Sequence, residues 1–224
     1  MLGDAHAERR KKNTRIIWAT SLKNKPYLDY IYKVINSYTP CNKPKISYRK
    51  HKNGTIYSSI RFSTKTHQAF NPIHDGHRGM INSAREMLGQ DVTLELSIRN
   101  VDKPPLDFLT MSERCTDEYE LVFSNAPTFA EKSAIFPDTA FIVGLDTIVR
   151  IDEPRYYGSE TVRNQALATM AARGVRFLVF GRQTGDSFNT LTDVSLSKTL
   201  EDMCSAVTED QFRHDISSTE IRSR

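Results

Sequence analysis

Phe141-Ile142-Val143-Gly144 and Arg176-Phe177-Leu178-Val179-Phe180-Gly181 are two largely apolar runs, each closed by glycine, on either side of an Ala-rich stretch over residues 161–173. Runs this short and this apolar read as strands covered on both faces. The stretch between them reads as a helix stopped at Gly174. Strand, helix, strand is the repeating unit of a parallel sheet with helices packed against it.

The same alternation extends towards the N-terminus. Met80, Ile81, Ala84, Met87 and Leu88 fall at helical spacing within residues 76–89. Val92, Leu94, Leu96 and Ile98 then alternate with Thr93, Glu95 and Ser97, which predicts a strand. A further helix within residues 109–120, a strand at 121–124 and a helix over 128–136, halted by Pro137, complete the series. No period of 20–50 residues recurs, so a solenoid is excluded. The expected fold class is α/β: a Rossmann-like, doubly wound parallel sheet, preceded by a basic N-terminal extension.

That extension stands out by charge. The chain has 224 residues and a net charge of +4, yet residues 1–66 hold 15 Lys and Arg against 3 Asp and Glu, while residues 67–224 hold 16 against 24. Such asymmetry suggests two parts, a basic segment 1–66 and an acidic α/β domain 67–224. Stretches 43–51 and 55–62 flank Asn53-Gly54, the pattern of a β-hairpin. Arg9, Arg10, Lys11, Lys12, Lys43, Lys45, Arg49, Lys50 and Lys52 are interleaved with Tyr48 and Tyr57, a composition suited to single-stranded nucleic acid. A charge run is more commonly just a solvated surface, so nucleic acid enters as a partner through this segment alone. Cys41, Cys115 and Cys204 are widely spaced, which fits reduced thiols in an intracellular setting, cytoplasmic or nuclear. No apolar run approaches a membrane-spanning length, and no secretory h-region is present, so no membrane partner is expected.

Two stretches carry chemistry. No G-x-x-x-x-G-K-[ST] loop and no G-x-G-x-x-G fingerprint occurs. Instead, Phe70-Asn71-Pro72-Ile73-His74-Asp75-Gly76-His77 leads directly into a helix. A helix N-terminus offers unpaired N–H groups to an anion, and both imidazoles can donate to phosphate oxygens. The competing readings are two histidines that merely sit in a loop, since one short H-x-x-H is a weak pattern, and a zinc pair. For zinc, His6, His51, His67 and His214 supply no further ligand spacing, so no resident metal site is expected. The second stretch is Asp215-Ile216-Ser217-Ser218-Thr219-Glu220-Ile221-Arg222, where Ser217 and Glu220 stand as in a capping box. Alone, such a stretch is most often just a capped helix; its hydroxyls, N–H groups and Arg222 also suit a second anion cradle.

Together, F-N-P-I-H-D-G-H and I-S-S-T-E-I-R resemble the nucleotidylyltransferase superfamily with its H-x-G-H signature, and within it the nicotinamide or nicotinate mononucleotide adenylyltransferase branch. The resemblance covers residues 70–222 and includes Asn100-Val101-Asp102-Lys103-Pro104-Pro105-Leu106 and the runs 141–149 and 177–182. It implies transfer of AMP from ATP, with Mg²⁺, to a mononucleotide, releasing pyrophosphate within NAD synthesis. His74 and His77 would hold the triphosphate and stabilise charge on the α-phosphate. Ser218, Thr219 and Arg222 would cradle the outer phosphates, and Gly144 and Asp146 would lie against the adenosine, near Phe70. Asn71 and Lys103 would meet the second substrate. A homo-oligomer is compatible with this assignment.

One departure from the pattern matters. Such proteins place a Gly-Ser or Gly-Gly-Ser step before the Phe, where this chain has Thr66-His67-Gln68-Ala69. That departure keeps a catalytically impaired nucleotide-binding relative open as an alternative, alongside phosphopantetheine- or cytidylyl-type transfer, which uses the same H-x-G-H device.

Overall fold

A computed structural model describes residues 16–19, 59–63, 70, 73–99, 101, 104–115, 118–184 and 187–212. Seven strands form one parallel sheet: β1 (Ile16–Ala19), β2 (Ser59–Ser63), β3 (Val92–Ser97), β4 (Leu121–Ser124), β5 (Thr139–Gly144), β6 (Arg176–Phe180) and β9 (Cys204–Val207). Two short strands, β7 (Arg182–Thr184) and β8 (Ser187–Asn189), pair antiparallel as a separate hairpin. The helices are α1 (Asp75–Leu88), α2 (Phe108–Glu113), α3 (Phe129–Ile135), α4 (Leu145–Asp152), α5 (Glu160–Ala172) and α6 (Lys198–Glu201).

The spatial order is β1-β4-β3-β2-β5-β6-β9. Counted from β2, this is the Rossmann-type order 3-2-1-4-5-6, with β1 added outside β4. The chain leaves β2 for β3 on one side, and returns later to place β5 on the other. Phe62 therefore pairs with Leu94 and with Ile142. The order reverses between β2 and β5, and crevices at such points hold ligands at the carboxyl ends of strands.

β2 corrects one expectation. Residues 59–62 do not form half of a hairpin, because both edges of that strand are taken by parallel neighbours. The other half of the expected hairpin, residues 43–51, lies outside the described residues.

Alternation within the strands divides the core in two. Leu94, Leu96, Leu121, Phe123, Ile142, Leu178 and Phe180 pack with Ile81 and Ala84 of α1 and Met111 of α2. Val122, Phe141, Val143, Phe177 and Val179 point the other way, against Phe129, Leu145, Ile148, Leu167, Met170 and Leu200. Both faces of the sheet are thus covered, which explains the near-continuous apolar runs. Local signals set the ends of the helices. Thr128 and Glu131 close a capping box on α3, and Ser159 accepts from the Val162 N–H at the start of α5. Gly89 ends α1 in the left-handed region at φ 63°.

One polar group is buried inside the second core. Lys132 of α3 donates to Glu95 of β3 at 2.5 Å, Ser124 of β4 donates to the other carboxylate oxygen, and the ammonium lies 4.9 Å from the centre of the Phe129 ring. Both charged side chains are fully buried. The cost of desolvating the pair is offset only while both partners stay. Lys132→Met should therefore lower stability by about 3–5 kcal/mol, and adding Glu95→Leu should restore most of the loss. Urea unfolding of the two variants checks this; a neutral Lys132→Met would contradict it.

Candidate functional site

β2 ends and α1 begins at the carboxyl edge of the sheet, beside the reversal of strand order. His74, in extended conformation, is the N-cap residue of α1, and His77 occupies the third helical position. The His74 N–H donates to His77 Nδ1 at 3.4 Å, so His77 takes the place that Glu usually fills in a capping box. The two imidazoles stack with centroids 3.8 Å apart and planes at 29°. Phe70 meets His77 edge-on at 5.3 Å. The motif thus folds into one compact aromatic block around a helix N-terminus.

Phe70 is also the site's backbone outlier. Its φ of 56° lies in the left-handed region, and its ring is buried in the first core. A bulky residue held there costs about 1–3 kcal/mol, and such strain clusters at functional sites. The position follows the step where related patterns carry glycine; here Phe70 itself makes the turn, with its ring anchored in the core.

Electrostatics define what His77 can do. Burial lowers its pKa from 6.5 to about 3, helped by the nearby charges of His74 and Arg78. The ring is neutral at physiological pH, and with Nδ1 occupied as an acceptor its proton sits on Nε2. A neutral Nε2–H is a hydrogen-bond donor rather than a cation, an arrangement suited to polarising an oxygen on which charge develops. Arg78, one turn into α1, is engaged elsewhere: it forms a forked ion pair with Glu118 at 3.1–3.2 Å and contacts Asp75 at 3.2 Å. The Arg78 fork holds the Glu118 carboxyl below its ordinary range.

On the neighbouring strand, Gly144 ends β5 and serves as N-cap of α4. Its φ is −82°, and a Cβ built there would meet nothing within 4 Å. Among the described residues, neither backbone conformation nor packing requires glycine there. Asp146, two residues on, is ion-paired with Arg182 at the start of β7, just beyond the carboxyl end of β6. Arg182, at a strand end, reads from the sequence as a phosphate ligand or as half of a surface ion pair; its partner, 36 positions away, is not legible there.

The described residues therefore bring Phe70, His74 and His77 together, and place Gly144 and Asp146 at the end of an adjacent strand. Asn71, Lys103, Ser218, Thr219 and Arg222 lie outside the described residues. Tyr157, next to the end of α4, donates to the Ile151 carbonyl at 2.9 Å, and burial raises its pKa to about 12; it covers a core edge. Asp152, the last residue of α4, is a junction: it accepts from the Ser197 N–H and hydroxyl and from Arg163. Among the described residues no helix is long and apolar enough to cross a membrane.

Comparison with known proteins divides the chain. Residues 69–224 match the cytidylyltransferase-like family, and residues 1–121 match the LAGLIDADG DNA endonuclease family, so the two matches share residues 69–121. Similar curated proteins are the cytochrome b mRNA maturases bI2 of Saccharomyces cerevisiae, 40% identical over 78 residues, and of Debaryomyces hansenii, 34% identical over 101 residues. These alignments cover 33% and 43% of this chain but only 18% and 37% of the relatives, and lie in its N-terminal part. No solved structure matches the chain.

The depressed His77 pKa makes stability depend on pH. Below pH 6.5 the unfolded chain takes up a proton that the native ring refuses until about pH 3, so stability falls as pH drops through that window. His77→Gln should flatten the fall, which has a limiting slope of about 1.4 kcal/mol per pH unit. Urea midpoints between pH 7 and pH 4 measure it; parallel curves for variant and parent would contradict the assignment.

Proposed function

We propose that this chain, which belongs to the cytidylyltransferase-like family over residues 69–224 and to the LAGLIDADG DNA endonuclease family over residues 1–121, transfers AMP from ATP to nicotinamide or nicotinate mononucleotide and releases pyrophosphate. Residues 69–224 form a nucleotidyltransferase-like domain, and the Rossmann-like parallel sheet it builds also takes β1 and β2 from residues 16–63. Helices on both faces of that sheet support the doubly wound reading. The observation that carries the function is the stacked His74–His77 pair, at a helix N-terminus beside the reversal of strand order.

The reaction needs no protein nucleophile. A phosphate oxygen of the mononucleotide attacks the α-phosphorus of ATP in line, forming one P–O bond as the bond to pyrophosphate breaks. The protein's part is to position the two substrates and to meet spreading negative charge with fixed donors. In this reading Mg²⁺ arrives as part of the substrate, the magnesium–ATP complex. His77 Nε2–H and first-turn N–H groups of α1 donate to the phosphate chain, and His74 lies beside them. Gly144 leaves room for the adenosine, Asp146 takes a sugar hydroxyl, and Phe70 contributes through its backbone. Ser218, Thr219 and Arg222 would close on the outer phosphates, with Asn71 and Lys103 on the acceptor.

The family match leaves the nucleotide base open between adenine and cytosine; the I-S-S-T-E-I-R stretch favours ATP. A panel of ATP and CTP against nicotinamide mononucleotide, nicotinate mononucleotide, phosphopantetheine and glycerol phosphate, with Mg²⁺, decides. The expected result is pyrophosphate only when ATP meets a pyridine mononucleotide, and a 10²–10³-fold slower kcat for His77→Ala. Release with CTP alone, or near-normal turnover in His77→Ala, would overturn the assignment. ATP binding without turnover would favour the impaired relative.

A second activity is favoured by a separate observation. The maturase relatives align with the basic N-terminal part, where Lys and Arg outnumber Asp and Glu 15 to 3. In this reading residues 1–66 bind RNA. Retention on polynucleotide should weaken linearly in log–log form with salt, by about 0.7–0.9 per phosphate neutralised, and should vanish when Arg49, Lys50 and Lys52 become Glu. Salt-independent retention would contradict it.

A further inference from the structure

We infer that Arg182 is a ligand for the nucleotide's phosphates, held in reserve by Asp146, and that the two side chains exchange partners when nucleotide binds. This rests on the nucleotidyl-transfer reading and adds to it a residue which that reading does not use.

The geometry comes first. β5 and β6 are parallel neighbours, with Gly144 opposite Phe180, so the residues that follow them emerge side by side at the carboxyl edge. Asp146 lies in the first turn of α4, and Arg182 opens the β7–β8 hairpin. Their side chains join across this edge, on the side of the sheet from which His74 and His77 begin α1. Among the described residues neither has another ion-pair partner.

The energetics favour exchange. The Asp146 and Arg182 side chains are 57% and 53% exposed, so water and salt screen the pair and it contributes little to stability. A guanidinium meeting a phosphate in a forked arrangement makes stronger, charge-assisted bonds. An incoming polyphosphate therefore outcompetes a single carboxylate for Arg182. The same event frees the Asp146 carboxylate to accept from a sugar hydroxyl, so phosphate and sugar recognition are coupled.

The backbone of Arg182 is paired: it stands in register with Asn189, and β8 approaches Gly181 so closely that a Cβ there would lie 2.6 Å from the Phe188 ring. The exchange asks only the guanidinium to change partner.

The test uses the full chain and inorganic tripolyphosphate, which has phosphates but no sugar, titrated calorimetrically beside magnesium–ATP. Thermal unfolding of each variant confirms that it is folded. Arg182→Met should weaken tripolyphosphate about tenfold, and Arg182→Lys should recover part of the loss. Asp146→Asn should tighten tripolyphosphate several-fold, because the guanidinium is no longer held, while weakening ATP. A pair that merely stiffened the edge would shift both variants in the same direction. Same-direction or null effects on tripolyphosphate, with ATP binding intact, would overturn the exchange alone. Absence of both tripolyphosphate and ATP binding in the parent would overturn the nucleotidyl-transfer reading with it.

Discussion

The architecture turns on the double pairing of β2. Its residues hydrogen-bond in parallel with β3 on one side and β5 on the other, which fixes where the strand order reverses. A parallel strand must be followed by a crossover, so the chain leaves β2 at the carboxyl edge and starts α1 there. The stacked imidazoles are therefore delivered to that edge by connectivity. Gly144 arrives at the same edge because β5 is the next strand over. Two segments distant in sequence are thereby brought to the same edge of the sheet.

Within that frame, His77 combines two roles. As a cap it accepts the His74 N–H and organises the first turn of α1. The same hydrogen bond leaves its outer nitrogen as donor, and burial keeps the ring uncharged. Phe70, strained at φ 56° and anchored in the core, holds its edge against the ring. Preorganised neutral donors of this kind act without reorganising as charge develops. Farther along the edge, the ion pair of Asp146 and Arg182 adds a charged element that a polyanion can rearrange.

How much was legible in the sequence follows from the same physics. α1, β3, β4, β5 and β6 show their apolar patterns because each buries an apolar face, whereas α5, which buries only Leu167 and Met170, shows through its Ala-rich composition and α3 through the stop at Pro137. β2 was harder: Ser59 and Arg61 interrupt it, and the nearby Asn53-Gly54 pattern suggests a local hairpin. α4 follows β5 with no intervening loop, so its Leu145, Ile148 and Ile151 read as an extension of the strand motif. β9, Cys204-Ser205-Ala206-Val207, is a short edge strand with little apolar content. Glu95 sits on the polar phase of an alternating strand and reads as exposed, yet α3 covers that face and brings Lys132 to it. His74, His77 and Gly144 were legible as motif residues, because their chemistry is local. The Asp146–Arg182 pair was not, since it depends on which strands become neighbours.

The central claim is that the aromatic block at the start of α1 grips a triphosphate. The direct measurement is magnesium–ATP titration of the full chain carrying ¹⁵N-labelled histidine, followed through the imidazole nitrogen resonances. The account predicts saturable shifts in both His74 and His77, with the His77 Nε2–H slowed in exchange and the ring's pKa rising towards its ordinary value as phosphate charge approaches. Saturating ATP binding that leaves both imidazoles unperturbed would contradict it.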